Sequence, residues 1–266
     1  MQDLARKRSR KGSGVYESGK ERLLQIQKVA LGILVEEGFP ALTLREVARR
    51  CNIQIGAVSY YYKSRADLFQ DTISSVLNDY AEGFRSIVRD RSKSDEDRLH
   101  GLIELLLEDM QSKQTTRLFP HLWMLANHDE MIAQTVDRIY ILERNTFNSL
   151  IARINPALSQ QERETLSVFL SASIAGSTLF VGFEKPWAQE LPLYRAMTSR
   201  ALVETVKTIT SEQLAAYGYT PPKSRKAWRA PTTLSEAEYE ALLSGDRIDL
   251  DDADPASPPT SAPIAD

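Results

Sequence analysis

Residues 43–68 read TLREVARRCNIQIGAVSYYYKSRADL, and this stretch decides the fold. Its first third carries apolar side chains on one helical face, at Leu44, Val47, Ala48 and Cys51. That spacing predicts a short amphipathic helix. Thr43 at its start, with Glu46 three residues later, predicts a capping box. The polar run Asn52–Gln54 then interrupts the pattern.

A second short amphipathic segment follows, from Ile55 to about Tyr62. Ser64 then opens another helix, with Asp67 at the reciprocal capping position. Two short helices that are separated by a polar break and flanked by basic residues are typical of a helix-turn-helix. In that motif the second helix enters the major groove of DNA.

The stretch resembles the N-terminal DNA-binding domain of the TetR family of transcriptional regulators over roughly residues 20–90. The matching residues are Thr43, Val47, Ala48, Ile53, Gly56, Ala57, Val58, Tyr60, Tyr61, Tyr62, Lys63, Ser64, Arg65 and Leu68. The sequence departs from the family pattern at the turn, where Cys51 and Asn52 replace a small residue and Gly. Gln54 stands in place of the usual Ser, Ser59 in place of Tyr, and Arg65 in place of the commoner Lys.

The resemblance implies an all-α fold, with a three-helix helix-turn-helix domain followed by a larger helical ligand-binding and dimerisation domain. We predict four parts, namely a basic flexible arm over 1–19, the DNA-binding domain over 20–66, the helical effector-binding and dimerisation domain over 67–220, and a largely disordered acidic tail over 221–266.

The two ends of the chain carry opposite charge. Residues 1–65 hold 13 Lys/Arg against six Asp/Glu, a net charge of +7, whereas residues 231–266 hold one Arg against nine Asp/Glu, a net charge of −8. The basic end is suited to a polyanion such as DNA. Its run Arg6–Lys11 either solubilises the chain or contacts phosphates or the minor groove. The acidic tail is either a solvated extension or a competitor of DNA for the basic domain.

The compartment follows from two further features. The single cysteine, Cys51, excludes an internal disulfide framework and is typical of a reducing cytoplasm. The first 22 residues are basic and polar and lack the apolar stretch of a signal peptide. We therefore predict a cytoplasmic protein.

The DNA contacts are expected at the starts of the two short helices. Arg45 is the best candidate for base readout, because a guanidinium can bridge two acceptors on guanine. Gln54 is suited to adenine and Ile55 or Ala57 to a thymine methyl, whereas Gly56 allows close approach of the backbone. Hydroxyls and charges for phosphates come from Thr43, Ser59, Tyr60, Tyr61, Lys63 and Arg65. We assign Tyr62 to the core, and Arg49 and Arg50 to a solvated face.

Further helices follow from apolar periodicity and capping signals. The predicted bounds are Lys20–Glu37, Ser64–Val88, a helix starting at Asp95, one starting near Pro120, Asp129–Ile154, Ser159–Gly182 and about Leu193–Leu214. Residues 165–183 contain no charge, which allows either a membrane span or a buried helix–helix interface. Six Ser/Thr and two Gly in this stretch favour the interface. The resemblance implies a homodimer through the helices at about 159–182 and 193–214.

In the family a small molecule enters the second domain and shifts the DNA-binding heads. Candidate pocket residues here are Phe119, His121, Trp123, Met124, Asn127, Tyr140 and Glu143. Glu143 interrupts an apolar stripe, so it either faces a ligand or pairs with a neighbouring helix. We expect no metal and no cofactor, since no histidine has a ligand partner at metal-site spacing.

The function predicted is a sequence-specific regulator that binds a palindromic operator as a dimer and is released by an effector. The resemblance implies that it acts as a repressor. The alternative is an architectural DNA-binding protein without a ligand. An enzyme is disfavoured, because no nucleophile elbow, phosphate loop or metal motif is present.

Overall fold

The computed structural model describes the backbone of residues 2–218 and the side chains of residues 19–218. The predictions for the acidic tail over 221–266 lie outside the described residues. Within them the chain forms ten α-helices and no strand, which confirms the all-α prediction. The helices are α1 (Gln2–Glu37), α2 (Leu44–Arg50), α3 (Ile55–Tyr61), α4 (Arg65–Val88), α5 (Asp95–Asp109), α6 (Lys113–Ala126), α7 (Glu130–Ile154), α8 (Gln160–Val181), α9 (Leu191–Thr208) and α10 (Ser211–Ala216).

Side-chain caps set several helix starts where the sequence places them. Ser64 with Asp67 and Ser159 with Glu162 form complete capping boxes, which confirms both predictions. The box predicted at Thr43 is only half formed. The Thr43 hydroxyl accepts from the Glu46 amide at 3.1 Å. The Glu46 carboxylate instead turns forward to two arginines of its own helix, because charged donors are stronger partners than an amide.

The first helix is longer than predicted. It begins at Gln2 rather than near Lys20, so the backbone over 2–19 is helical and continues α1. Residues 2–11 are mostly strong helix formers, namely Arg, Lys, Leu, Ala and Gln. Their propensity outweighs the glycines that follow, each of which costs about 1 kcal/mol relative to alanine in a helix interior.

Two other helix bounds differ from the predictions. α6 begins at Lys113 rather than near Pro120, because the Ser112 hydroxyl accepts from the Thr115 amide at 3.0 Å and starts the helix earlier. Pro120 therefore lies inside the helix, and burial of its flanking leucines offsets the lost hydrogen bond. The predicted last helix is two helices, since Thr210 caps α10 and interrupts the run.

Two hydrophobic cores divide the molecule, and α4 belongs to both. The first joins α1, α2, α3 and the start of α4, and it also takes in Leu118, Leu122, Ile132 and Ile139 from α6 and α7. The second contains Ala81 and Phe84 from the later part of α4 together with residues of α5 and α7–α9. The DNA-binding helices consequently share packing with the second domain, and a displacement of α6 acts directly on the first core.

Candidate DNA-binding surface and effector cavity

The turn between α2 and α3 is held by the backbone. Asn52 adopts a left-handed conformation with φ of 53°, which Asn tolerates better than most residues. The next amide, of Ile53, donates to the Ala48 carbonyl at 3.0 Å. Asn52 thus serves where the family usually has Gly. Buried Val47 and Val58 pack the two helices on the first core.

α3 leaves its start open to solvent. Gln54, Gly56 and Ile55 are exposed, Ile55 by 46%. A Cβ atom added at Gly56 would meet no atom within 4 Å. Nothing in the chain's own packing therefore requires glycine at this position. Near the other end of α3, Tyr60 is 74% exposed and packs edge-on against Tyr61, with ring centroids 5.1 Å apart.

The three arginines of α2 differ in their partners. Arg49 and Arg50 both bind the Glu46 carboxylate, and Arg50 also binds Glu37. Hydrogen bonds from Arg49 and then Arg50 lower the pKa of Glu46 to about 2. Arg45 is exposed and makes no hydrogen bond or ion pair with any described residue. Arg45 is therefore the one arginine of α2 that could bind a ligand without first breaking an ion pair within the chain.

The junction between α3 and α4 carries further candidate contacts. Lys63 donates from Nζ to the Ser59 carbonyl at 3.3 Å, and Arg65 lies over the Phe39 ring at 4.2 Å from its centroid. Both side chains stay exposed. The Tyr61 hydroxyl donates to the Gly19 carbonyl at 3.3 Å, which ties α3 to α1.

Tyr62 is 4% exposed, which confirms its assignment to the core. Its hydroxyl donates to the Asp71 carboxylate, which also accepts from Gln27 at 2.7 Å. Burial, reinforced by Asp71, raises the pKa of Tyr62 well above its usual value. This network joins α1, α3 and α4.

A cavity lies between α4, α5, α6, α7 and α8. The space inside it that the centres of water molecules can occupy is about 50 Å³, which is enough for a few water molecules. Five of its lining side chains are aromatic, namely Tyr80, Phe84, Phe119, Trp123 and Tyr140. A larger ligand would enter by displacing side chains.

Most polar groups of the cavity bind one another. The Asp109 carboxylate accepts from the hydroxyls of Tyr80 and Thr115. The Trp123 indole N–H donates to the Tyr140 hydroxyl at 2.9 Å. These bonds link α4 with the end of α5 and with α6, and α6 with α7.

Glu143 differs from these groups. Its side chain lines the cavity at 8% exposure, and Oε1 has no hydrogen-bond partner. Burial raises the pKa of Glu143 to about 7, although Ser171 and Arg144 favour the charged form. The Ser171 hydroxyl on α8 lies beside this carboxyl but makes no hydrogen bond to Oε1. The cavity thus contains a buried carboxyl with unused acceptor capacity.

The predicted pocket residues divide into two groups. Phe119, Trp123, Tyr140 and Glu143 line the cavity, whereas His121, Met124 and Asn127 do not. The cavity face of α6 runs at steps of four through Thr115, Phe119 and Trp123, and the other three project elsewhere. His121 packs near Gly38, Met124 is 58% exposed, and the Asn127 amide donates to the Trp123 carbonyl at 3.2 Å.

The sequence prediction missed Tyr80, Asp109 and Thr115. Their helices are remote in sequence from the aromatic cluster over 115–128, so only the packing brings them together. Tyr80 falls on a helical apolar stripe, which predicts burial but not a cavity. Asp109 gives no signal of its own, because a lone carboxylate at a helix end is usually solvated.

A second exposed surface is apolar. On α8 it comprises Val168, Phe169, Leu179 and Phe180, each about half exposed or more, with the exposed small residues Ala172 and Gly176 between them. Leu193 and Met197 of α9 are 61% and 63% exposed. Among the described helices, α8 alone is long and apolar enough to cross a membrane by length and composition, with a mean hydropathy of 1.4. Its other side packs on α7 and α9.

A helix-turn-helix with an open first turn, set on a helical domain that contains a cavity, defines a two-domain DNA-binding regulator. The family profile described as "Bacterial regulatory proteins, tetR family" matches residues 26–72. The HTH-type transcriptional regulator BetI of Burkholderia ambifaria strain MC40-6 is 28% identical over 157 residues, which cover 58% of this chain and 79% of the relative. BetI of Escherichia coli O17:K52:H18 is 22% identical over 194 residues, covering 70% of this chain and 95% of the relative.

The fold matches solved structures as well. A transcriptional regulator from Rhodococcus sp. Rha1 superposes with a TM-score of 0.58 at 17% identity, covering 70% of this chain and 98% of the neighbour. The chain therefore resembles bacterial transcriptional regulators of the TetR family, whose profile matches its residues 26–72. Its relatives are named as transcriptional regulators, which supports the predictions that the protein is a DNA-binding regulator and not an enzyme.

Proposed function

We propose that the protein is a cytoplasmic, dimeric repressor that binds a palindromic operator and releases it when a small molecule enters the cavity. The observation that carries this proposal is the path between the two sites. α6 lines the cavity with one face and packs on α1 with another, so both sites share one rigid element.

The operator contacts are proposed from exposure and free hydrogen-bonding capacity. Arg45 reaches guanine, and Gln54 reaches adenine at the start of α3. Ile55 and Ala57 meet thymine methyl groups, and Gly56 lets the α3 backbone approach the DNA. Phosphate contacts come from Thr43, Ser59, Tyr60, Tyr61, Lys63 and Arg65. Support comes from the open start of α3 and from the unpaired guanidinium of Arg45.

The dimer is proposed through the apolar stripe of α8 and the adjoining face of α9. The small residues Ala172 and Gly176 lie between two pairs of large apolar side chains at helical spacing. This arrangement allows a second helix to approach closely while the large residues bury apolar area at either end. A dimer would set two α3 helices at a fixed separation, as two half-sites in successive major grooves require.

The coupling is proposed through Glu36 at the end of α1. Its carboxylate binds Lys113 at 2.6 Å and Arg117 at 3.2 Å, both on α6. Arg117 also binds Glu184, which follows α8. A ligand that displaces Phe119 or Trp123 would therefore shift α6 and the end of α1 together. Because half-site spacing is strict, a small rotation of each head would lower operator affinity.

Two measurements test this proposal. Sedimentation should give a dimer, and a mobility shift with DNA from upstream of the chain's own coding region should give two chains per duplex. A monomer that binds one chain per duplex would contradict it. A ligand-independent architectural protein, the alternative, would bind scrambled duplexes equally well.

The coupling has its own control. Glu36→Gln should leave operator affinity intact and weaken the response to a cavity ligand. Glu82→Gln removes a comparable exposed ion pair within α4, to Arg85, and should change neither property. An unaltered response in Glu36→Gln would refute the α6–α1 path.

A further inference from the structure

We infer that the effector is a small apolar organic cation with at least one N–H donor, and that Glu143 is its counter-ion. The inference rests on the proposed role of the cavity and adds the chemical class of its ligand. It follows from charge, unused hydrogen-bonding capacity, aromatic content and volume.

The charge of the cavity has one sign. Its lining contains two acids, Asp109 and Glu143, and no Lys, Arg or His. An anionic ligand would face two carboxyls with no cationic side chain in the lining, in a site where water is largely excluded. A cation would offset the charge that burial otherwise penalises.

Unused hydrogen-bonding capacity distinguishes the two acids. Asp109 already accepts from Tyr80 and Thr115. Glu143 Oε1 has no hydrogen-bond partner among the described residues, although the Ser171 hydroxyl of α8 lies close enough to favour the charged carboxylate. A buried acceptor without a donor is costly, so a ligand N–H placed at Oε1 is favoured over a group that only fills space. A quaternary ammonium cannot supply that bond.

The aromatic side chains form a continuous wall beside the acids. The rings of Tyr80 and Phe119 lie 6.0 Å apart between centroids, and those of Phe119 and Trp123 lie 6.5 Å apart. The faces of such rings attract cations, most strongly where water is excluded. The same wall offers an apolar contact for a ring or short alkyl chain on the ligand. The cavity holds only a few water molecules, so side chains must move even for a ligand of the size of benzylamine.

The groups around Glu143 set the direction of its pH dependence. Tyr80 from α4 and Asp109 from α5 line the same cavity, and Tyr140 and Arg144 flank Glu143 on α7. α8 contributes the uncharged Ser171 and Thr178, and α6 contributes Thr115 and the aromatic Phe119 and Trp123.

With a pKa of about 7, Glu143 is partly protonated at neutral pH in the free protein. Binding of a cation would ionise it, so a proton is released and cation affinity rises between pH 6 and pH 8.

The test is calorimetric titration of the full chain with four probes of one shape, namely benzylammonium, benzyltrimethylammonium, benzyl alcohol and benzoate. Benzylammonium should bind at least tenfold more tightly than the alcohol and the quaternary probe, and benzoate most weakly. Protons should be released, as shown by titration in two buffers of different ionisation enthalpy. Glu143→Gln should reduce benzylammonium to the affinity of the alcohol, whereas Glu82→Gln should not.

The wild-type series decides the matter even if Glu143→Gln does not fold. The inference is overturned if benzoate or the alcohol binds as tightly as benzylammonium, if the quaternary probe matches it, or if none of the four binds. A neutral or acidic probe that binds and releases DNA would overturn only the ligand class and leave the proposed function standing. Benzylammonium that binds as expected without releasing DNA supports the ligand class and refutes the effector role.

Discussion

Gly56 offers a prediction in which stability and DNA binding change in opposite directions. Gly56→Ala adds a methyl group that meets no atom of the chain within 4 Å. Alanine is favoured over glycine in a helix interior by about 0.5–1 kcal/mol, and the lower value suits the first turn of α3. The free energy of unfolding should therefore rise by about 0.5 kcal/mol. Urea denaturation followed by circular dichroism measures this change.

The same methyl group should weaken operator binding. If the α3 backbone lies against DNA, the added volume acts as overpacking, which typically costs about 1–3 kcal/mol. That range corresponds to roughly a 5- to 150-fold loss of affinity in fluorescence anisotropy. Two results would refute the reasoning, namely unchanged DNA affinity, which removes Gly56 from the interface, or lower stability, which means that the position is not open.

Gly32→Ala is the matched control. Gly32 lies on α1, and a Cβ there also meets no atom within 4 Å. This variant should gain stability without losing DNA affinity. A loss of DNA affinity in both variants would show that the effect arises from helix rigidity and not from contact with DNA.

Three further predictions test the other assignments. Arg45→Ala should cost about 1–3 kcal/mol of binding free energy on the operator and little on scrambled duplexes. Arg49→Ala should cost less, because that arginine is already paired with Glu46. Equal losses on all sequences would exclude base readout by Arg45. The pKa of Glu143 is about 7 in the folded protein, against an ordinary 4.5. The stability of the wild type should therefore fall relative to that of Glu143→Gln as the pH rises from 4.5 to 7, by at most about 3 kcal/mol in urea denaturation. Parallel stability profiles of the two proteins would contradict a buried carboxyl at this position. Phe180→Arg should give a monomer in sedimentation while the equally exposed Met124→Arg stays dimeric, and a dimer in both would move the interface away from α8.

The sequence predicts helix starts well wherever a side chain caps the first turn. Ser64, Asp129 and Ser159 each accept from an amide three residues on, as their spacing indicates. The errors arise where two local signals compete. At α6 the proline signal suggests a start, but Ser112 caps a helix that runs through Pro120. At the last helix an apolar stripe continues past Thr210, where a new cap interrupts it.

The two sites differ in how far sequence alone can define them. The DNA-binding candidates lie within 23 residues of chain, from Thr43 to Arg65, so local pattern predicts their placement. The cavity is assembled from five helices, and its face of α6 depends on the register set by Ser112. The sequence singled out Glu143, because a charge in an apolar stripe is a local anomaly. It could not place Glu143 beside Ser171 of another helix, since that requires the packing.

We propose that the exposed starts of α2 and α3 read an operator under control of the cavity. A mobility shift of DNA from upstream of the chain's own coding region tests it most directly, with wild type and Arg45→Ala, and with and without benzylammonium. Wild type should form a complex of two chains per duplex that dissociates with the amine, and Arg45→Ala should weaken this complex. A complex that forms equally with scrambled DNA, is unaffected by Arg45→Ala and persists with the amine would contradict it.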